Sequence, residues 1–217
     1  MEIDIPSLAQ PDRYKLLIGL IVPRPIAWVS TVSRDGRANL APFSFFNGVS
    51  SEPPALLFCP ANKSDGTIKD TLRNILESSR DGTGVGGQFV VNIVPHGLRG
   101  EMSASAEELP YGESEFELAG LTRAGSRVVG CPRVAEAPAC FECEAMQVIR
   151  LAPGAPGGGN VVIGRVLWAH VRDDIMNERH HIDPAKLDAL GRMAGMSYCT
   201  TRERLDVPWG SEALKRA

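Results

Sequence analysis

The hydrophobic pattern along the chain is mainly that of β-strands. Residues 26–33 (IAWVSTVS) alternate and are rich in β-branched and aromatic side chains, which is typical of a strand. Residues 55–59 (ALLFC) form a continuous apolar run, as expected of a strand that is buried on both faces. Residues 88–94 (QFVVNIV) predict another strand. Two longer strands are predicted at 139–151 and 160–172, with the glycine-rich segment APGAPGGGN as the hairpin loop between them.

Turn residues separate these runs at short intervals. Arg34, Asp35 and Gly36 predict a tight hairpin turn, because glycine readily adopts a positive φ. The returning strand is predicted at residues 38–41, and Pro42 is expected to bend the chain out of it. The 22 glycines and 16 prolines of the chain fit many strands joined by turns.

Helical patterns are fewer, and they fall at residues 12–20, 67–78, 97–108 and 184–190. The clearest is 67–78, which Thr67 is expected to cap, because a threonine hydroxyl can accept from the first free amides of a helix. The apolar face predicted for this helix consists of Ile68, Leu72, Ile75 and Leu76.

The predicted elements favour a mainly β, antiparallel barrel with a few peripheral helices. Strands and helices do not alternate as they do in a doubly wound α/β fold, and most connections between strands are short. No internal repeat and no linker interrupts the 217 residues, so a single domain is expected.

Composition and charge exclude several function classes. A net charge of −3 argues against nucleic-acid binding, which usually requires a basic face. The longest apolar stretch, residues 16–32, contains Pro23, Arg24 and Pro25, so it cannot cross a membrane as a helix. The five cysteines are odd in number and scattered, and the N-terminal sequence lacks a secretion signal. We therefore expect a cytoplasmic protein that binds neither membranes nor nucleic acids.

A candidate anion site lies at the start of the helix predicted from residue 67. Lys69, Asp70 and Thr71 fall in its first turn, where free backbone amides and the helix dipole favour a phosphate. Lys63 can reach the same place from the preceding loop. The alternative is a solvated first turn, in which Asp70 answers the dipole and Lys69 points outward.

A second candidate is the aromatic segment that follows the first predicted hairpin. Phe43, Phe45 and Phe46 lie within four residues, next to Ser44 and Asn47, in a chain that has seven phenylalanines. A loop of this kind offers an apolar wall with short hydrogen-bonding groups, which suits a planar heterocycle. The alternative is core packing at the rim of the barrel.

Other motifs are weaker candidates for chemistry. Cys140 and Cys143 form a CxxC within a predicted strand, where their spacing places them on opposite faces, so neither a redox pair nor a zinc clamp is expected. Residues 82–87 are glycine-rich but precede a strand, unlike a dinucleotide fingerprint. His180 and His181 have no companion ligands and are expected in a surface turn. No metal site is predicted.

The order of these segments resembles the flavin-reductase-like family of FMN-binding split barrels, which includes flavoredoxin. The matching segments are PRPIAWVSTVSRDGRANLAPFSFFNGVSSEPPALLF, then KDTLRNI and QFVVNIV. EFELAGLT, PRVAEAPACFECE, VVIGRVLWAHV and GRMAGMSY also fit, so the likeness covers residues 20–200. The resemblance implies a Greek-key split barrel with a core at residues 20–175, and a homodimer that holds FMN at its interface. The tail, residues 176–217, is expected to pack on the barrel or on the dimer partner.

Family resemblance also implies the residues that contact FMN. Ser30 and Thr31 are expected near the flavin or its ribityl chain, and residues 41–47 are expected to line the isoalloxazine ring. The others are expected to follow the cofactor towards its phosphate. Together, the assigned residues are Ser30, Thr31, Ala41, Pro42, Phe43, Ser44, Phe45, Phe46, Asn47, Cys59, Pro60, Lys63, Lys69, Asp70 and Thr71.

Four further residues have two interpretations each. Asn92 either supports the site or only pairs strands. Arg192 and Tyr198 either reach the substrate side of the flavin or lock the tail onto the barrel. His170 ends a strand near the same side, where it serves either the substrate or the structure. Residues 104–120 are expected to shape access to the flavin.

The resemblance implies an oxidoreductase in which NADH or NADPH delivers a hydride to the flavin. The reduced flavin would then serve a partner monooxygenase or an electron-transfer protein. Hydride transfer requires no general base, so no catalytic side chain is assigned. The alternatives are a flavoredoxin-like electron carrier without direct NAD(P)H activity and a non-catalytic flavin-binding protein. The choice between NADH and NADPH stays open, as does the choice between a prosthetic and a diffusing FMN.

Overall fold

The computed structural model of the chain describes residues 1–214, and within that range it contains twelve strands and five α-helices. The strands are β1 (Arg24–Pro25), β2 (Ala27–Val32), β3 (Ala38–Phe43), β4 (Phe46–Ser51), β5 (Pro54–Phe58), β6 (Gln88–Ile93), β7 (Arg123–Ala124), β8 (Arg133–Val134), β9 (Ala139–Arg150), β10 (Asn160–Val171), β11 (Leu190–Arg192) and β12 (Tyr198–Thr200). The helices are α1 (Gln10–Leu20), α2 (Asp70–Ser78), α3 (Arg99–Ala104), α4 (Glu115–Leu118) and α5 (Pro184–Leu187).

Seven strands form one antiparallel sheet in the order β3-β2-β6-β9-β10-β5-β4. Its two edge strands, β3 and β4, are consecutive in the chain, so the ends of the sheet meet at Ser44 and Phe45. The rings of Phe43 in β3 and Phe58 in β5 are 5.2 Å apart, although these strands lie near opposite ends of the sheet order. The sheet is therefore rolled into a barrel, which confirms the predicted mainly β fold.

One apolar cluster fills the barrel. It takes buried side chains from six strands of the sheet, and Leu72 and Ile75 of α2 cover it at one end. Gly164 in β10 belongs to the same packing, because a Cβ there would lie 2.3 Å from the Phe89 ring. A second cluster covers the outer face around Trp28 and holds α3 and α4 against the barrel.

A smaller sheet carries the C-terminal region. Strand β11 pairs with β1 on one side and with β12 on the other, all antiparallel. The Leu190 amide also donates to the Val94 carbonyl just after β6. The tail thus joins the barrel through the short strand that precedes β2.

Two sequence predictions about the segment after the first hairpin are wrong. Pro42 does not bend the chain out of β3 but lies within it, opposite Trp28. Proline is tolerated there because β3 is an edge strand, whose outward amides need no partner. Residues 41–47 are not a loop, since they form the end of β3 and the start of β4, and Phe43 and Phe46 pack on the barrel core.

The predicted helix starts and ends also need correction. Helix α2 begins at Asp70, and Thr67 does not cap it, because the Thr67 amide and hydroxyl both donate to Asp65 in the preceding turn. The segment predicted from 97 to 108 is helical only as a 3₁₀ turn and α3. The segment predicted from 184 to 190 ends early, because Asp188 adopts a left-handed conformation with φ 46°.

Candidate functional site

A cleft lies where α2 meets β3, and we call it the barrel cleft. It is open to solvent, and about 450 Å³ of unoccupied space lies between and in front of its walls. Its walls are Asn39 and residues 41–43 of β3, Lys63 with residues 69–71 at the start of α2, residues 105–109, and Glu115. The sequence analysis assigned residues 104–120 to this position, and 105–109 and Glu115 do line the cleft.

The start of α2 provides hydrogen-bond donors at one end of the barrel cleft. Lys69 occupies the N-cap position, and no side chain of the described residues caps the helix. The amides of the first turn of a helix have no partner within that helix, so here they remain available to a ligand. Thr71, which is 1% exposed, accepts a hydrogen bond from Asn39 Nδ2 at 3.0 Å. Asn74 Nδ2 donates to Thr31 Oγ1 at 3.0 Å, which fixes the helix to β2.

Each lysine of the barrel cleft has a carboxylate partner. Lys63 Nζ lies 3.3 Å from Asp70 Oδ1. Lys69 Nζ lies 3.1 Å from Glu108 Oε1, so it neither points into solvent nor stands free for a ligand. This pair joins the start of α2 to the segment on the other side of the cleft.

Glu115 is a buried carboxyl group in the same cleft. It is 5% exposed, and its Oε2 accepts the Leu40 amide at 2.8 Å. Burial raises the pKa of Glu115 above the usual range, and the hydrogen bond from Leu40 opposes that shift. The sequence analysis missed this residue, since nothing local separates it from the exposed Glu113 and Glu117.

A second cleft adjoins the first, and we call it the tail cleft. It shares Pro42 and Ala106 with the barrel cleft and offers about 740 Å³ of open space. Its other lining residues come from α1, the start of β2, α3 and the tail sheet. They are Tyr14, Ile26, Ser44, Met102, Ser103, Arg192 and Tyr198.

Arg24 lies behind the tail cleft and connects its parts. It is 4% exposed, and its guanidinium donates to the Ile18, Ile21 and Met193 carbonyls at 2.8, 2.6 and 3.0 Å. Its Nε donates to Ser44 Oγ at 3.3 Å. No site role was assigned to Arg24 from the sequence, because its main partners are carbonyl oxygens that side-chain patterns do not reveal.

Ten of the residues assigned in the sequence analysis line the two clefts. The barrel cleft takes seven of them: Ala41, Pro42, Phe43, Lys63, Lys69, Asp70 and Thr71. The tail cleft takes Ser44, Arg192 and Tyr198, and shares Pro42.

The remaining assigned residues on β2, β5 and β10 lie elsewhere. Thr31 is buried beneath α2, as its bond to Asn74 requires, and Ser30 faces the other side of the sheet, where its hydroxyl donates to the Pro132 carbonyl at 2.5 Å. The Pro60 carbonyl accepts from Asn160 Nδ2 at 2.8 Å. His170 is exposed on β10 and lines neither cleft.

The remaining assigned residues, which lie near the connection between β3 and β4, are also outside the clefts. Phe45 lies under the Arg24 guanidinium, 5.8 Å from ring centroid to Cζ, and Phe46 packs on the barrel core. Asn47 is exposed and accepts from the Gly48 amide. The Cys59 amide donates to the Phe45 carbonyl at 2.9 Å, and burial raises the pKa of the Cys59 thiol.

Asn92 and the cysteine pair have structural surroundings. Asn92 is fully buried, donates to the Trp28 carbonyl and accepts from the Val134 amide. Cys143 lies in the barrel core, whereas Cys140 packs in a separate outer cluster, so the predicted opposite faces are confirmed. Across residues 1–214, no three histidine, cysteine or acidic side chains gather as a metal-binding group, and no helix is long and apolar enough to cross a membrane.

Comparison with known proteins places this fold and these clefts in a family. A family model described as the flavin reductase like domain matches residues 19–188. An uncharacterised protein of Aquifex aeolicus is 40% identical over 185 residues, which cover 85% of this chain and 88% of that protein.

Two solved structures are similar over nearly their whole length. Nitrilotriacetate monooxygenase component B from Bacillus cereus is 34% identical with a TM-score of 0.86, covering 95% of this chain and 98% of that one. The 2-nitrobenzoate 2-nitroreductase of Pseudomonas fluorescens is 27% identical with a TM-score of 0.82, covering 97% of both chains. With the family match over residues 19–188 and the rolled antiparallel sheet, this chain belongs to the flavin reductase-like family of split barrels.

Proposed function

We propose that this protein binds FMN in the barrel cleft and uses it to accept a hydride from NADH or NADPH. The observation that carries the proposal is the uncapped start of α2, with Lys63 and Lys69 beside it, at one end of a cleft that runs along β3. Such a helix start favours a phosphate through its free amides and its dipole.

The phosphate end of FMN is assigned to the first turn of α2. Thr71 lines the cleft and accepts from Asn39, so its own hydroxyl proton is available to a phosphate oxygen. Lys69 supplies positive charge once it exchanges Glu108 for the phosphate, and Lys63 acts from the loop that precedes α2. Asn74 and Thr31 contribute indirectly, because their hydrogen bond holds the helix in place.

The flavin ring is assigned to the β3 wall. Ala41, Pro42 and Phe43 give this wall a flat, mostly apolar surface, and Ser44 continues it into the tail cleft. The assigned residues that lie behind the wall, Phe45 and Cys59 among them, support it through the backbone bond from the Cys59 amide. When bound, FMN supplies the hydride-accepting ring, while the chain holds it in position and limits access of water.

The hydride donor is assigned to the tail cleft, beside the ring end of the barrel cleft. The two clefts meet at Pro42 and Ala106, so a nicotinamide ring in one can lie against a flavin in the other. The name of the similar component B from Bacillus cereus suggests that the reduced flavin serves a monooxygenase. A cytoplasmic location belongs to the same proposal, because NADH and NADPH are available there and the five cysteines are free.

A homodimer is also part of the proposal. Apolar side chains stand exposed on the outer face of the barrel, among them Trp168 at 46%, Leu167 at 41% and Val49 at 49%. Exposed apolar patches on soluble proteins commonly mark interfaces. Sedimentation velocity on the wild type and on Trp168→Glu tests the dimer, with a shift to monomer expected in the variant.

The FMN site is tested by titrating FMN and riboflavin, which differ only in the phosphate. In the double variant Lys69→Ala/Thr71→Ala, we expect FMN affinity to fall by about 100-fold, since charged hydrogen bonds are worth about 1.5–3 kcal/mol each. Riboflavin affinity should change by less than about threefold. The matched control is Lys186→Ala, a lysine on α5 that touches neither cleft. Equal losses of affinity for FMN and riboflavin would contradict the assignment of the phosphate to the start of α2.

The hydride step is tested separately by anaerobic mixing of the FMN-loaded protein with NADH or NADPH. Bleaching of the flavin absorbance by either nucleotide supports a reductase. Tight FMN binding with no bleaching by either one rejects it and leaves a flavoredoxin-like electron carrier.

A further inference from the structure

The tail cleft contains positive charge without a carboxylate partner. Arg192 lines the cleft, and Arg24 stands behind Ser44 in its wall. Among residues 1–214, no aspartate or glutamate lines this cleft, and none lies within ion-pair distance of either arginine. A ligand that enters the tail cleft therefore meets the Arg192 guanidinium, with Arg24 behind the wall, and no carboxylate of residues 1–214 pairs with either group.

Arg24 is buried, and its charge also interacts with that of Arg192. Burial lowers the pKa of Arg24, nearby Tyr14 raises it, and the positive charge of Arg192 lowers it again. Arg24 and Arg192 are also paired residues of the neighbouring strands β1 and β11, so their positive charges lie opposite each other and repel. An anion between them and the solvent would relieve this repulsion.

Arg192 is held in a fixed plane. Its Cζ lies 4.4 Å from the centroid of the Tyr198 ring, in a cation–π stack. One terminal nitrogen donates to the Gly195 carbonyl within the same turn. The guanidinium has five N–H donors in all, and a planar fork of this kind matches a carboxylate through two parallel hydrogen bonds.

The rest of the tail cleft suits a flat ring. Ile26, Pro42 and Met102 provide apolar surface from three different elements, and Tyr14 adds an aromatic side chain. Ser44 and Ser103 add short hydroxyl groups at the edge. Apolar side chains on several walls, with a guanidinium on one side, favour a ligand with a flat ring and a charge at one end.

We propose that the tail cleft binds a planar ring that bears an anionic group, directly or through a short linker, and that Arg192 holds that group. The inference rests on the proposed function in one respect, because it places this ligand beside the flavin. Two sources share the chemistry: an aromatic carboxylate that acts as electron acceptor, and the phosphate-bearing nicotinamide half of NADH. Benzoate is the probe for the first and reduced nicotinamide mononucleotide for the second.

The test compares benzoate with benzamide, its neutral analogue of the same shape. Isothermal titration calorimetry on the wild-type protein, with and without FMN, should show benzoate binding at least about tenfold tighter than benzamide, because only benzoate is anionic. In Arg192→Met, benzoate affinity should fall by about tenfold or more and benzamide affinity should stay within about twofold. Arg192→Lys, which keeps the charge but loses the fork, should lie between the two.

The control variant is Arg204→Met, which removes a tail arginine that lines neither cleft. It should leave the affinities for both probes unchanged. A larger effect of Arg192→Met on reduced nicotinamide mononucleotide than on benzoate assigns the anion to the hydride donor, and the reverse assigns it to an acceptor.

Equal affinities of the wild type for benzoate and benzamide would overturn the proposal without any variant. Unchanged benzoate binding in a folded Arg192→Met protein would do the same. Calorimetry measures benzoate binding without FMN. The FMN proposal is tested by a separate FMN titration, so the two proposals can fail independently.

Discussion

The two clefts adjoin each other, but different structural elements form their walls. The barrel cleft rests on α2 and β3, which share the buried core of the barrel through Leu72, Ile75 and Phe43. The tail cleft rests on α1, which buries no residue, and on a sheet of strands two or three residues long. The barrel core holds the first cleft, whereas the second is held by the hydrogen bonds that Arg24 donates and by the second apolar cluster, which includes Ile26 and Met102.

Their charges differ in the same way. In the barrel cleft each lysine already has a carboxylate partner, so binding an anion there exchanges one partner for another. In the tail cleft, Arg192 faces no carboxylate of the described residues, so an anion there adds a partner instead of replacing one. In the proposed arrangement, FMN therefore occupies the cleft whose charges are balanced, and the second ligand occupies the cationic cleft.

The largest expected effect comes from removing Arg24. Arg24→Met leaves the Ile18, Ile21 and Met193 carbonyls without their donor, which we expect to cost about 3 kcal/mol in the free energy of unfolding. Benzoate binding should be lost, while FMN affinity should change by less than about threefold, because the barrel cleft is held independently. Urea unfolding and the two titrations measure this, with Arg204→Met as the control. A loss of FMN binding as large as that in Lys69→Ala/Thr71→Ala would contradict the independence of the clefts.

The barrel was predictable from sequence because its signals are local. Alternation in residues 26–33, the apolar run before Cys59 and the turn at Gly36 each report on a few neighbouring residues. The same is true of the apolar face of α2, where Leu72 and Ile75 are fully buried. These patterns set which side of each element faces the core, and the barrel follows from them.

The residues that sequence analysis missed depend on distant partners. Arg24 donates to Met193, 169 positions along the chain, and Glu115 accepts from Leu40, 75 positions away. The misplaced bend at Pro42 has a similar cause, because only the strand order reveals that β3 is an edge. The wrong cap at Thr67 arose because Asp65 competes for its hydroxyl, and local propensity does not rank such competing bonds.

The next largest effect tests whether hydrogen bonds as well as packing fix α2. Asn39→Ala removes the donor to Thr71 Oγ1, and we expect a loss of about 1–2 kcal/mol in stability. FMN affinity should fall by about tenfold because Thr71 loses its fixed orientation, and benzoate affinity should not change. Asn177→Ala, in an exposed tail turn, is the matched control. Should benzoate and FMN weaken together, the two clefts share one support.

A smaller effect concerns the buried carboxyl group of the barrel cleft. Burial raises the folded-state pKa of Glu115, so the folded protein binds more protons than the unfolded chain between the ordinary glutamate pKa and the raised one. Stability is therefore lost as the pH rises through that window. Glu115→Gln keeps an acceptor for Leu40 but cannot ionise.

We expect Glu115→Gln and the wild type to unfold alike below the ordinary glutamate pKa, and the variant to become relatively more stable at neutral pH. Melting temperatures of both proteins from pH 4 to 8 measure the difference, because this range begins near the ordinary glutamate pKa of about 4.3. Glu113→Gln, an exposed neighbour, should show no such trend. A constant difference across the range would mean that Glu115 is not the titrating group.

The smallest effect tests the claim that charges in the barrel cleft are balanced by exchange. Glu108 pairs with Lys69 on a partly exposed surface, and such pairs contribute about 0–1 kcal/mol. Glu108→Gln frees Lys69, so FMN should bind about threefold tighter, riboflavin affinity should stay the same, and added salt should shrink the gain. Glu117→Gln, which breaks the pair with Arg123 outside both clefts, is the control. If FMN instead binds more weakly to Glu108→Gln, then Glu108 orients Lys69 for the phosphate and does not compete with it. The carboxylate partners in the barrel cleft would then serve to position the lysines for FMN.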